Sequence, residues 1–156
     1  MKRVPEALAI YRRELDRNPK DPGLYDVLAA FLEQNKLGAE TEQVYQRAIA
    51  QFQDHTWEHK LARWYLRQRR QADVNRLTRD VVKIFSGTEL DAYFQEIVQP
   101  AAPLGPALYL QLNLYAHQRF PHHLNFVHNL LAAYTAAATK DDSAYEALLR
   151  RHWYDA

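Results

Sequence analysis

Residues 22–53, PGLYDVLAAFLEQNKLGAETEQVYQRAIAQFQ, read as two amphipathic helices joined by a tight turn. Tyr25, Leu28, Ala29 and Leu32 recur at helical spacing on one face, and Tyr45, Ala48, Ile49 and Phe52 on another. The same pattern appears on both sides of this stretch. Stepping 34 residues back from Tyr45 reaches Tyr11, inside PEALAIYRRELDRNP. Stepping 33 residues forward from Leu28, Ala29, Leu32 and Ala48 reaches Leu61, Ala62, Tyr65 and Val81. A helix–turn–helix unit of that length cannot bury its own apolar faces, so stacked neighbours must bury them.

These residues resemble the tetratricopeptide repeat (TPR) family. Tyr25, Leu28, Ala29, Tyr45 and Ala48 match one whole unit, and Ala7, Tyr11 and Pro19 match a preceding second helix. The chain departs from the pattern at Glu14, Thr41 and Gln53, and the third unit carries Val74, Thr78 and Val81 on its second helix. The run VYQRAIAQF with Trp57 and Trp64 after it also resembles the half-a-tetratricopeptide (HAT) variant of RNA-processing scaffolds. The resemblance covers about residues 5–85. It implies a right-handed α-solenoid of stacked antiparallel helix pairs, with the first helix of each pair lining a groove that binds extended peptides.

Composition agrees with a folded helical domain. Of the 156 residues 47% are hydrophobic and only four are glycine, which favours helix over loop. With no cysteine there is no disulfide or thiolate chemistry. No apolar run approaches the roughly 20 residues of a membrane span, and MKRVPEALAIYRREL lacks a secretory core, so the cytoplasm is the expected compartment. Net charge is +1, too little for general attraction to nucleic acid or membrane. The charge is uneven, however: residues 57–83 carry 8 basic and 3 acidic groups, a basic middle between two near-neutral or acidic ends.

In chain order, Pro5–Arg17 reads as a helix opened by a tolerated proline. It is a second-helix half without its first, as expected of a piece of a longer array or of a solitary capping helix. Helices follow at about 22–35, 39–53, 57–70 and 72–85, with Asp21 and Thr56 as N-caps and Gly38 relieving the central turn. Ser86-Gly87 ends the fifth, and Thr88 with Asp91 opens a sixth at 88–98. Three prolines between Pro100 and Pro106 predict a loop, with the repeat period lost beyond it. Leu108, Leu110, Leu112 and Leu114 alternate as in a strand, but Leu108, Leu112 and Tyr115 also fit a helix, expected over 105–119. Pro121 opens another helix to about Ala138, and Asp141 or Asp142 a last one to about His152. The expected organisation is repeats over 1–87 (half unit 5–19, units 22–53 and 56–86) and a degenerate helical cap over 88–156, in one continuous domain.

His59, Arg63, Arg67 and Arg70 are spaced four, four and three, a stripe on the fourth helix. Guanidiniums in a row suit a carboxylate-bearing peptide, each donating two parallel hydrogen bonds. A solvated face, with its cations at a helix C-terminus, is the plainer account. Trp57, Trp64 and Tyr65 interleave with Lys60, Arg63 and Arg67, as in single-strand nucleic-acid sites, although Tyr65 falls at a core position. His55-Thr-Trp-Glu58-His59 has the spacing of a zinc-hydrolase motif, yet His55 falls in the turn before the helix. His117, His122, His123 and His128 gather near Pro121, where loop and surface histidines are the default reading. Paired carboxylates, Glu40 with Glu42 and Asp141 with Asp142, suit helix N-termini. No phosphate loop or nucleophile elbow is present.

The expected protein is therefore a non-catalytic scaffold with no metal or cofactor. By the resemblance, Asp26, Ala30, Glu33 and Gln34 form one wall of a groove, and His59, Arg63, Arg67 and Arg70 the other. Its partner is a protein or peptide, acidic where it meets the basic wall, in preference to nucleic acid or membrane. The alternatives are an RNA-associated scaffold of the HAT kind and self-association through helix 5–17, whose apolar face lacks a first helix.

Overall fold

The computed structural model describes residues 3–136, and these are helical throughout apart from short connections, with no strand among them. The helices are α1 (Val4–Arg17), α2 (Pro22–Gln34), α3 (Gly38–Gln51), α4 (Thr56–Arg67), α5 (Gln71–Ile84), α6 (Gly87–Ala101), α7 (Pro106–Arg119) and α8 (Leu124–Ala136), with a 3-10 turn at Ala102–Leu104. Leu108–Tyr115 is helix despite its alternation, since there is no strand among the described residues for it to pair with. The helix expected at 141–152 and the Asp141–Asp142 pair lie outside the described residues.

The joints between helices repeat as the helices do. After α2, Leu37 N–H donates to Leu32 C=O (2.9 Å) and Lys36 N–H to Glu33 C=O (3.0 Å). After α4, Arg70 N–H donates to Tyr65 C=O (2.9 Å) and Arg69 N–H to Leu66 C=O (3.0 Å). These paired bonds satisfy the last carbonyls of each helix and need one residue in the left-handed region. Lys36 (φ 58°) and Arg69 (φ 57°) supply it, 33 residues apart. Gly38, expected to relieve this turn, instead opens α3. Gly87 does have positive φ, but it opens α6, with Ser86 and not Thr88 at the cap position. Asp21 accepts from Gly23 N–H as an N-cap (2.9 Å), whereas at α4 the cap is Asp54, which accepts from Thr56 N–H (3.1 Å).

The period also survives the prolines. α1, α3, α5 and α7 are each 14 residues long. Phe52, Phe85 and Phe120 close the last three, each N–H donating over 2.8 Å to the carbonyl of Ala48, Val81 or Ala116. The prolines are harmless because each sits near a helix end. Pro106 opens α7, where its missing N–H would be unpaired anyway, and Pro100 lies in the last turn of α6. The expected loop from 100 to 106 is thus a helix end, a 3-10 turn and a helix start.

The chain divides into two compact units, Met1–Leu61 and Ala62–Ala156, with the division inside α4. In the first, α2 packs on α1 and on α3. Leu15, Tyr25, Leu28, Leu32, Tyr45, Ala48 and Trp57 are buried there. Trp57 stacks on Phe52 (centroids 5.8 Å, planes 19° apart) and meets Tyr25 nearly edge-on (5.8 Å). Thr41, where the family pattern has Ala, is fully buried because its hydroxyl donates to Leu37 C=O four residues back (2.7 Å). In the second unit α7 packs on α5, α6 and α8. Tyr93, Phe94, Ile97, Leu112, Ala116, Phe126 and Leu130 form its core, and the Thr78 and Tyr93 hydroxyls share a buried 3.0 Å hydrogen bond.

Candidate partner-binding surfaces

Along α2, Asp26, Ala30 and Gln34 are exposed and Glu33 is half-buried. Asp26 already has a cation: Lys60 Nζ donates to its carboxylate over 2.7 Å and lies 4.3 Å above the Trp57 ring. His59 is half-buried on the first turns of α4. These residues belong to the first unit. Arg63 and Arg67, in the second, are exposed one turn apart on α4. Together with Leu66 and Pro100 of α6 they line a cleft of about 260 Å³.

Arg70 does not extend the stripe. Arg69 turns left-handed after α4 ends, which carries Arg70 to the cap position of α5. There Arg70 Nε donates to Asp73 (2.7 Å), and the guanidinium lies over the rings of Tyr65 (4.8 Å) and Trp64 (5.4 Å). In the structure it joins α4 to α5, with its guanidinium still about one-third exposed.

Other candidates fare differently from their sequence reading. Trp57, Trp64 and Tyr65 are all buried, so their faces are not platforms on which bases could stack. His55 Nδ1 stands 4.0 Å from Glu58 Oε1. Burial pushes the Glu58 carboxyl up from its ordinary value, against the opposing pull of its backbone hydrogen bond and of His55 and His59. Among the described residues no three His, Asp or Glu side chains are placed to hold a metal ion. His117, expected at the surface, is buried on α7 instead. His123 lies 3.6 Å from Asp91 and against the Phe126 ring (4.4 Å), while His122 and His128 are exposed.

A second and larger cleft lies between α6 and α8, about 490 Å³, lined by Gln95, Val98, Gln99, Asn125, Phe126, His128, Asn129 and Ala132. The sequence pattern does not mark it openly, because the prolines after Gln99 interrupt the visible repeat. The signal was nonetheless there. In 33-residue steps, Asp26 and His59 continue to Ala92 and Asn125, and Ala30 and Arg63 to Glu96 and Asn129. Glu33 continues through Leu66 to Gln99 and Ala132, and Gln34 through Arg67 to Pro100. The same arithmetic places Gln95 and His128, both exposed, where Ala29 and Ala62 are buried.

No protein-family profile matches the sequence, and neither does any curated protein.

Proposed function

We propose that this chain is a non-catalytic interaction scaffold of the tetratricopeptide kind, whose first helices take a short acidic segment of a partner protein. Within the second unit the contact falls on Arg63 and Arg67. The observation that carries this reading is their cleft: two exposed guanidiniums one turn apart, with the apolar Leu66 and Pro100 beside them. Each guanidinium can clamp a carboxylate with two hydrogen bonds, and the apolar walls accept the stem of the same side chain. The repeated joints at Lys36 and Arg69 support the architectural half of the reading.

The test is affinity capture from source-cell lysate, with and without nuclease, using the wild-type chain beside Arg63→Glu/Arg67→Glu. A protein band that survives nuclease and falls at least about tenfold with the double variant, from loss of two charge-assisted contacts, is the expected result. Equal capture by both chains removes the Arg63–Arg67 surface from the proposal. Material that disappears with nuclease favours an RNA-associated scaffold instead.

One observation favours a second reading, self-association through α1. Ile10 is 58% exposed, whereas Val44, its equivalent in α3, is 8% exposed, so α1 carries an apolar side chain that a second copy could cover. Light scattering at high concentration should then show a dimer that Ile10→Glu dissociates; a monomer at all concentrations sinks this reading.

A further inference from the structure

Asn113 is fully buried on α7 and donates from Nδ2 to Tyr109 C=O (2.8 Å). A carbonyl can only accept, so this contact fixes which way the Asn113 amide points and turns its Oδ1 toward α8. Asn129 on α8 answers by donating its Nδ2 to that oxygen (3.0 Å). The Asn129 amide is thereby fixed as well: one of its two N–H groups is spent inward, and its Oδ1 remains as an acceptor, toward which no described residue donates. Asn129 lines the cleft between α6 and α8. A buried asparagine where α3 has Tyr45 and α5 has Thr78 is costly in a core unless its hydrogen bonds are completed, and here they are completed by orienting a side chain of the cleft.

Most of the remaining polar lining is also amide. Gln99 and Asn125 offer amides that bond to no described residue, and Gln95 is steadied by Asp91 (3.5 Å) and His123 (3.3 Å). Among the described residues no Asp, Glu, Lys or Arg lines the cleft; His128 adds an imidazole, and Val98, Phe126 and Ala132 make its apolar part. Amides both donate and accept, in the same geometry as a peptide bond. A site of amides, with Asn129 held in one orientation and no acidic or basic countercharge among its described lining residues, fits a ligand that alternates N–H and C=O and carries no charge, since a desolvated unpaired charge would be penalised. The volume is that of an ordinary ligand site.

We propose that the cleft between α6 and α8 binds the main chain of an extended, uncharged polypeptide segment, with Asn129 Oδ1 accepting a backbone N–H and Asn113 as the residue that positions it. This rests on the scaffold reading above and adds a second contact to it. α6 carries Gln99 in this cleft and Pro100 in the arginine cleft, adjacent in sequence. The partner segment on this account has an acidic residue next to an uncharged stretch.

The test is selection of a random nine-residue peptide library, displayed on phage, against the full chain, followed by affinities of the selected peptides for wild type, Asn129→Ala, Asn113→Leu, their double variant and Arg63→Glu/Arg67→Glu. Each peptide is also made with single backbone N-methyl groups. The expected result is a loss of about fivefold to tenfold with Asn129→Ala, the worth of one hydrogen bond. Asn113→Leu should lose a similar factor and the double variant no more, because the two act as one. N-methylation should weaken binding at one or two positions only, within the uncharged stretch. Asn129→Ala binding within twofold of wild type, or indifference to N-methylation, overturns the proposal. Should Asn113→Leu lose helicity by circular dichroism, the Asn129→Ala and N-methyl results decide alone. Peptides that need Arg63 and Arg67 but not Asn129 keep the scaffold and sink the amide cleft. Peptides that need Asn129 but not the arginines keep the cleft and sink the acidic site. Failure to select any peptide overturns both.

Discussion

Glu58 sits where its charge is poorly solvated, and the direction of its shift fixes what a charge-removing substitution does. Its folded pKa lies above the ordinary 4.5, chiefly through burial, with Asp54 adding to the rise. The folded state therefore holds the proton more tightly than the unfolded state, and stability falls as pH rises from 4.5 through the folded value. Above that window the charged form is a standing cost; below 4.5 both states are protonated and the cost vanishes. Glu58→Gln should raise the melting temperature at about pH 7, with the difference shrinking toward zero as the pH approaches the ordinary carboxylate range. Melts recorded across that range check it; a constant offset would mean that the amide acts through packing and not through charge. In the sequence this residue stood out as part of a metal motif. The property it shows in the structure comes from burial, which the spacing of His55, Glu58 and His59 does not reveal.

At the scale of the helices, positions were legible and joints were not. Apolar spacing placed α2 through α5 to within a few residues, because each buries one face and the faces recur. Glycine and proline are poor guides to the joints here, at two places. The left-handed conformation that would suit Gly38 is adopted by Lys36, since the turn is dictated by two hydrogen bonds to Leu32 and Glu33 and not by the residue best suited to it. The prolines at 100–106 look like a break in the sequence, yet each falls near a helix end. The left-handed joints are also where stability is held back. A side chain in that region costs on the order of 1 kcal/mol, offset in part by the extra freedom glycine gives the unfolded chain. Lys36→Gly should therefore stabilise by about 0.5 kcal/mol, read as a higher urea midpoint at unchanged slope. A loss instead would show that the Lys36 side chain contributes more than its backbone costs.

For the molecule as a whole, the basic middle of the sequence was a less direct guide than its charge suggested. Much of it is spent on internal pairs: Lys60 with Asp26, Arg70 and Arg76 with Asp73, and Lys83 with Asp80. Arg63 stayed legible as a candidate because it makes no ion pair with a described residue. The amide cleft was out of reach for a different reason. Asparagine and glutamine carry no charge or periodic signature, and Asn129 is distinguished only by Asn113 on another helix, 16 residues away in the chain.

The aromatic residues that build the core also give each unit its own optical probe. Trp57 is buried in the first unit among Tyr25, Tyr45 and Phe52, beneath the ammonium of Lys60. Trp64 lies in the second, tilted against Tyr65 and under the Arg70 guanidinium. The two indoles are two turns apart on one helix and fall on opposite sides of the division within it. With Trp153 replaced by Phe, and either Trp57 or Trp64 replaced in turn, fluorescence follows one unit at a time. Because one unbroken helix carries both reporters, their denaturation curves should superimpose, as for a single cooperative transition. Midpoints that separate would mean instead that α4 melts from one end, and that each half of the chain has a stability of its own.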